Sequence, residues 1–213
     1  MTKKRGEIME NTDIYGGYLP VLENIKSTFE QRIIGYTDEE YKRSGVKIYE
    51  HLIARVKSPE SMEEKCLRKG YPQNTHTALK IMRDSIGLRI VCSFIDDVYA
   101  NIEKIKAFPD CRVVEEKDYI KHAKPNGYRS YHMILEYTAS QADCDGNDPG
   151  KYFVEIQLRT IAMDSWASLE HKMKYKKNVA NQKLIVAELK RCADELASCD
   201  LAMATIRELI ENS

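Results

Sequence analysis

The chain has no surplus of either charge: Lys plus Arg and Asp plus Glu number 33 each among 213 residues. A uniformly basic or acidic surface, which would hold nucleic acid or membrane by charge alone, is therefore excluded; only local clustering could serve such a partner. Long apolar runs are missing too. Nothing approaches the roughly 20 apolar residues needed to cross a bilayer. The stretch from Met1 to Glu10 is charged, so neither a membrane anchor nor a secretory leader is expected. The six cysteines (66, 92, 111, 144, 192 and 199) form no CxxC pair and no metal spacing with histidine. They read as free thiols, most of them acting as small hydrophobes, in a reducing cytoplasm. Glycine-rich phosphate loops are lacking: there is no GxxxxGK[ST], no GxGxxG after a strand, and no HRD or DFG. That removes the P-loop, dinucleotide-binding and protein-kinase classes. HExxH and local Ser or Cys nucleophile signatures are also missing, and His51, His76 and His122 stand in no ligand pattern.

What is present is enough for a packed core, with 43% hydrophobic residues. No repeat, low-complexity tract or linker divides the chain, so residues 1–213 are expected to form one α+β domain. Apolar residues from Tyr15 through Tyr18, Leu22, Ile25 and Phe29 to Ile33 recur at steps of three and four, predicting a helix that Gly35 ends. Thr37-Asp38-Glu39-Glu40 predicts a capped second helix running through Tyr41, Val46, Tyr49, Leu52 and Ile53. Ser58-Pro59-Glu60 is a helix start, with Ser as N-cap and Pro at the first helical position, and Gly70 closes it. Residues 75–83 predict a short helix, 86–94 a strand, 96–107 a helix, 112–119 and 131–137 two more strands, and 161–177 a helix. Ile185, Leu189, Cys192, Leu196, Cys199, Met203, Ile206 and Ile210 alternate steps of four and three in a last helix. This seam suits either the chain's own sheet or a partner helix.

The stretch Tyr152–Arg159 alternates as a strand must. Tyr152, Val154, Ile156 and Leu158 share one face; Phe153, Glu155, Gln157 and Arg159 share the other. Two readings are open: an edge strand with one wetted face, or the polar floor of an active site. Three further polar groups bear on the choice. Asp84 enters a strand that carries Arg89. Arg55, Lys57, Lys65 and Arg68 form a basic run. Lys124, Asn126, Tyr128, Arg129 and His132 cluster around the turn Pro125-Asn126-Gly127. Each alone has an ordinary structural explanation. Together they suit one chemistry, because two carboxylates can hold Mg²⁺ with substrate phosphates. The basic groups can neutralise a polyphosphate, and an exposed aromatic can stack a base. The combination points to phosphoryl or nucleotidyl transfer between nucleotides.

Three motifs in order carry a resemblance. Asp84-Ser85-Ile86-Gly87-Leu88-Arg89, Lys124 through His132 (KPNGYRSYH) and Val154 through Thr160 (VEIQLRT) have the order and spacing of the RelA/SpoT synthetase domain. Arg55–Ser61 and Trp166–Lys172 extend the match over roughly residues 45–177. The chain resembles a stand-alone small alarmone synthetase, without counterparts of the hydrolase HD motif or the C-terminal regulatory domains. The resemblance implies a nucleotidyltransferase-like fold: a mixed, mainly antiparallel sheet of four to five strands flanked by helices, with long helices at both ends. Residues 1–44 would be an N-terminal helical region, 45–177 the catalytic core, and 178–213 a C-terminal helix in oligomer contact. The implied activity is transfer of pyrophosphate from ATP to the 3′-hydroxyl of GDP or GTP, releasing AMP and making (p)ppGpp in the stringent response. GMP is left open as an acceptor.

Carried over residue by residue, the resemblance implies that Asp84 and Glu155 are catalytic and share Mg²⁺. Arg55 and Arg89 would sandwich the adenine, with Lys57, Lys65 and Arg68 on the ATP phosphates. Tyr128 would stack on the acceptor guanine, beside Lys124, Asn126 and His132. Gln157, Arg159, Glu170 and His171 would support the site. A homotetramer is implied, whereas activation by bound alarmone and RNA binding are left open. Two other activities remain to be separated by experiment: transfer of AMP rather than pyrophosphate, and a catalytically weak nucleotide- or RNA-binding module. The sequence departs from the family at Ser85, usually apolar, and at Tyr131, usually Leu.

Overall fold

The structure, a computed structural model, describes residues 13–174 and 181–212. The polar start before Asp13 and the expected end of the Ile161 helix at Lys177 lie outside the described residues. After a turn at Asp13–Gly17, helix α1 (Leu19–Ser44) leads to strand β1 (His51–Val56) and helix α2 (Pro59–Lys69). A short π-helical turn, Thr77–Ile81, precedes β2 (Ile86–Cys92), α3 (Ile95–Lys106), β3 (Cys111–Asp118) and β4 (Tyr131–Ala139). Then come β5 (Gly150–Thr160), α4 (Ile161–Lys174) and α5 (Gln182–Glu211). The five strands form one sheet in the order β1-β2-β5-β4-β3. Only β2 and β5 pair in parallel; the other three pairings are antiparallel. The expected mixed, mainly antiparallel sheet with helices at both ends is what the chain forms.

The expected helix break at Gly35 does not occur. Leu22, Ile25, Phe29, Ile33 and Thr37 are all buried along one continuous face of α1. Burying that stripe outweighs the roughly 1 kcal/mol that a mid-helix glycine costs. Thr37, read as a cap, instead donates its hydroxyl back to the Ile33 carbonyl at 2.7 Å. The helix ends ten residues later, at Gly45 in the left-handed conformation with φ 72°. The expected second helix through Tyr49 and Ile53 is also wrong. Leu52, Ala54 and Val56 alternate inward with exposed His51, Ile53 and Arg55 as strand β1, bonded antiparallel to β2. The start of α2 matches expectation: the Ser58 hydroxyl accepts the Ser61 amide at 3.3 Å, and Gly70 caps with φ 73°.

One face of the sheet carries the core. Ile86, Leu88, Ile90, Val154, Ile156, Leu158, Met133 and Leu135 are buried there against α1, α3 and the Met62–Cys66 side of α2. Tyr131 joins this face, edge-on to Tyr99, and donates its hydroxyl to Glu116 at 2.9 Å. The departure at 131 therefore alters packing rather than the open face. Strand β5 is central, not an edge, which overturns the edge-strand reading of its polar row. In α4, Trp166 is buried as expected, but Ile161, Leu169 and Met173 are exposed. Among the described residues, no helix is long and apolar enough to cross a membrane.

Helix α5 folds back on α4, using only the first part of the expected seam. Leu189, Ala193, Leu196, Ala197, Asp200, Ala204 and Arg207 turn inward, while Cys192, Cys199, Met203, Ile206 and Ile210 are exposed. Polar contacts tie the helix down: Trp166 donates Nε1–H to the Leu189 carbonyl at 2.8 Å, Thr160 its hydroxyl to Asp200 at 2.7 Å, and Arg207 pairs with Asp97 at 2.8 Å.

Asn101, fully buried, joins three segments. Its amide donates to the carbonyls of Ile48 at 2.7 Å and Asp97 at 2.8 Å, and its oxygen accepts the Tyr36 hydroxyl. Asn101→Ala would strand these partners without water, so a loss of about 2–4 kcal/mol is expected in urea unfolding. A loss under about 0.5 kcal/mol would show that the three segments do not depend on this side chain.

Candidate active site

Strand alternation puts the polar residues of five strands on the open face opposite the core. Register then sorts them into two adjacent rows. One row runs Arg55, Gly87, Glu155, Ile134, Glu115; the next runs Ile53, Arg89, Gln157, His132, Lys117. Glu115 and Lys117 reach these rows through a β-bulge between Val113 and Glu115. The extra residue flips the face on which the rest of β3 points. Without it, Lys117 would face the core.

At one end of the face stands Asp84, just ahead of β2. Its Oδ2 is shared by the ammonium groups of Lys57 and Lys65, the latter at 2.5 Å. Burial alone would raise the Asp84 carboxyl, but the two lysines outweigh it and hold the group below its ordinary value. The other oxygen, Oδ1, is buried and has no hydrogen-bond partner. Arg83, immediately before it, takes a left-handed backbone with φ 55° and stacks its guanidinium on Phe153, 4.9 Å from the ring centre. Lys65, Arg83 and Asp84, together with Lys69, Lys117, His132 and Glu155, line a cleft of about 290 Å³.

Glu155 sits at the centre. It accepts from Gln157 Nε2 at 3.2 Å, and burial, then the nearby Asp84 charge, raise its carboxyl above the ordinary value. A smaller cleft of about 110 Å³ connects it with Arg55, Gly87, Arg89 and Gln157.

The other end is organised by Arg159, buried at 5% exposure on the last turn of β5. It donates to Ser130 Oγ at 3.2 Å, Gln157 Oε1 at 3.1 Å, Asp164 Oδ1 at 3.0 Å and Tyr128 Oη at 2.6 Å. Because Tyr128 Oη already accepts from Arg159, its own proton is free for His132 Nε2, 2.8 Å away. That leaves the His132 Nδ1 hydrogen facing Glu155 Oε1 at 3.8 Å. Burial, then Arg159, Lys124, Lys117 and Arg89, push His132 down to about 3, so it is neutral near pH 7. Tyr119 and Tyr128 meet edge to face, with the Lys124 ammonium 4.4 and 4.8 Å from their ring centres. Arg55, Arg89, Tyr128, Arg159, Glu170 and His171 line a third cleft of about 490 Å³.

The structure thus gathers Asp84, Lys57 and Lys65 at one end. Glu155 and Gln157 lie in the middle, with Arg159, Tyr128, His132 and Lys124 at the other end. Asn126 donates to Glu170 at 3.1 Å, behind the aromatic cluster. Arg68 is exposed on α2 and lies in none of these three clefts, whereas its neighbour Lys69 lines the cleft that holds Asp84. Sequence reasoning missed Lys117, Tyr119 and Asp164. Asp164 binds Arg159 and, at 3.3 Å, Arg89. Its only local signal was an acid in the first turn of a helix.

Comparison with known proteins settles the lineage. The model for the region found in RelA / SpoT proteins matches residues 54–180. The chain belongs to the RelA/SpoT family. Within it, the chain is 43% identical over 162 residues to GTP pyrophosphokinase YwaC of Bacillus subtilis, covering 76% of this chain and 75% of that one. The crystal structure of small alarmone synthetase 2 from Bacillus subtilis aligns with TM-score 0.75 and 38% identity, over 89% of this chain and 96% of that one. Small alarmone synthetase 1 of the same organism, bound to its product pppGpp, aligns with TM-score 0.74 and 32% identity over 92% and 95%. In the strand motifs that resemble RelA/SpoT synthetases, Arg89, His132, Glu155 and Gln157 lie on the open face described above.

The neutral His132 has a thermodynamic signature. Unfolded, it titrates near 6.5; folded, at about 3. Between those values the unfolded chain binds the extra proton, so stability falls as pH drops through this window. From pH 7 to pH 5 the wild-type chain should lose about 1–2 kcal/mol more than His132→Gln in urea unfolding. Equal losses would mean that folding does not lower the His132 pKa.

Proposed function

We propose that this chain is a (p)ppGpp synthetase that transfers pyrophosphate from ATP to the 3′-hydroxyl of GDP or GTP, releasing AMP. The observation that carries the reading is the open face itself. Of two carboxylates, Asp84 sits within a lysine-rich end suited to polyphosphate, and Glu155 lies between that end and an aromatic end suited to a base. Arg55 and Arg89, on neighbouring strands, flank the adenine. Lys57 and Lys65 hold the donor phosphates, with Lys69 at the same cleft; Arg68 is exposed one turn beyond Lys65. Tyr128 stacks the acceptor guanine, backed by Lys124, Asn126 and His132. Gln157 and Arg159 keep Glu155 and Tyr128 in place, while Glu170 holds Asn126 and His171 borders the cleft.

In the reaction the ribose 3′-oxygen attacks the β-phosphorus of ATP. The new P–O bond forms as the bond from that phosphorus to the α,β-bridging oxygen breaks, and AMP leaves. Glu155, raised in pKa by burial and by Asp84, takes the hydroxyl proton. In-line positioning and charge neutralisation supply most of the acceleration. The residues fit Mg²⁺: Asp84 Oδ1 is a buried carboxylate oxygen without a partner, and among the described residues no group of three or more ligating side chains forms a closed cage. That suits an ion held by one or two carboxylates plus substrate phosphates. Asp84, with Glu155 in reach, would hold it; bound there, the ion supplies neutralisation of phosphate charge. The six free thiols fit the reducing cytoplasm of the proposal.

Incubation with ATP and GDP should yield AMP and a 3′-pyrophosphorylated guanosine, resolved by nucleotide chromatography. Release of pyrophosphate instead would assign AMP transfer. Glu155→Gln should lower kcat by about 10²–10⁴; unchanged turnover would remove Glu155 from the chemistry.

A homotetramer is part of the proposal. Met203 and Ile210 are 52% and 71% exposed on the outer face of α5, and an apolar stripe of this kind suits subunit contact. Replacing both with Glu should reduce the mass measured by light scattering to a smaller species. A wild-type monomer at working concentration would refute the assembly.

A further inference from the structure

The acceptor loop leans on a helix that carries none of the residues assigned above. Gly127, in the middle of the loop, has φ +90°, and a Cβ placed on it would lie 2.5 Å from the Ala193 Cβ and 3.3 Å from the Lys190 Cα. The loop backbone therefore rests directly on α5, and the fit needs both a glycine at 127 and a small side chain at 193. Arg129, two residues on, points the same way. Its guanidinium lies 3.4 Å from Asp194 Oδ1 and donates to the Ala193 carbonyl at 3.5 Å. Trp166 completes the junction, bonded to the Leu189 carbonyl of α5 at 2.8 Å and edge-on to Tyr128 at 6.3 Å. Trp166, Ala167 and Ala193, with Tyr128, Leu189 and Leu196 against them, form an apolar cluster apart from the main core, in which Ala193 is 5% exposed.

We propose that Ala193 is a positioning residue for guanine-nucleotide binding. Its small side chain lets the Lys124–Arg129 loop close onto α5, which sets Asn126 and Tyr128 at the acceptor end of the open face. This rests on the assignment of that end to the acceptor. The physical reason is packing: a buried methyl in contact with backbone leaves no room for growth, and a larger side chain must displace whichever neighbour is less constrained. Here that neighbour is the loop, since α5 is fixed by Trp166, Thr160 and Asp97. The donor groups ride on β1, α2 and β2 rather than on the loop that Ala193 supports, so ATP binding should be insensitive to residue 193.

The test is a size series at this position, Ala193→Gly, Ala193→Ser and Ala193→Leu, each checked by thermal melting. Kinetics are run with GDP varied at saturating ATP and the reverse. Trp166 is the sole tryptophan, so its fluorescence also reads GDP binding directly, without turnover. Ala193→Leu should raise the KM and Kd for GDP about tenfold or more, with KM for ATP changed less than twofold. Ala193→Ser should move in the same direction by less, and Ala193→Gly should stay near wild type. If the Leu variant does not fold, the Ser variant decides. The proposal is overturned if folded variants keep the GDP Kd within twofold, if ATP and GDP constants shift together, or if Trp166 does not respond to GDP in the unmutated chain. Failure of the synthetase reading is separate: it appears as absent (p)ppGpp product while Trp166 still reports GDP.

Discussion

The parallel pairing of β2 with β5 is the constraint on which the rest of the open face depends. It sets Gly87 opposite Glu155 and Arg89 opposite Gln157, so the carboxylate and its neighbours on one strand are in step with the strand that follows Asp84. A one-residue slip would turn Glu155, Gln157 and Arg159 into the core and bring Val154, Ile156 and Leu158 into water. The apolar faces of both strands, buried almost completely, make such a slip prohibitively unfavourable. The core that stabilises the sheet thus also fixes the geometry of the polar face.

On that face, like charges are tolerated because each has a counter-group or a neutral neighbour. Asp164 stands between Arg89 and Arg159, linking the strand at the donor end to the hub at the acceptor end. His132 lies amid four cations and stays uncharged, which lets it accept the Tyr128 hydroxyl rather than repel Arg159. At the other end, two lysines share a single carboxylate oxygen. Incoming phosphate oxygens would meet ammonium groups already gathered and partly dehydrated.

The features legible in the sequence were those with local causes. The Ser58 cap, the Gly70 stop and the alternation of β5 follow from neighbouring residues, and the RelA/SpoT motifs identified the polar groups that the fold gathers. What could not be read was set by distant packing. Gly35 looked like a stop because the burial that carries α1 past it falls on Thr37, which has no apolar signal. The strand β1 read as helix because its partner, β2, lies more than thirty residues on. The bulge before Glu115 hid Lys117, since plain alternation across 112–119 would aim that side chain at the core. In α5 the apolar heptad was real, but the inward face is marked by Ala193, Ala197 and Asp200, whose small size and single hydrogen bond carry no hydrophobic signal.

Arg83 shows how closely the sheet's stability and its aim are bound together. Its left-handed backbone is a conformation that a non-glycine residue adopts at a cost of about 1–2 kcal/mol, and stacking on Phe153 helps to keep it there. Glycine would relax the joint and remove the stack together, loosening the peptide that carries Asp84. Position 83 therefore couples two properties: any change that relieves its backbone also frees the peptide that carries Asp84.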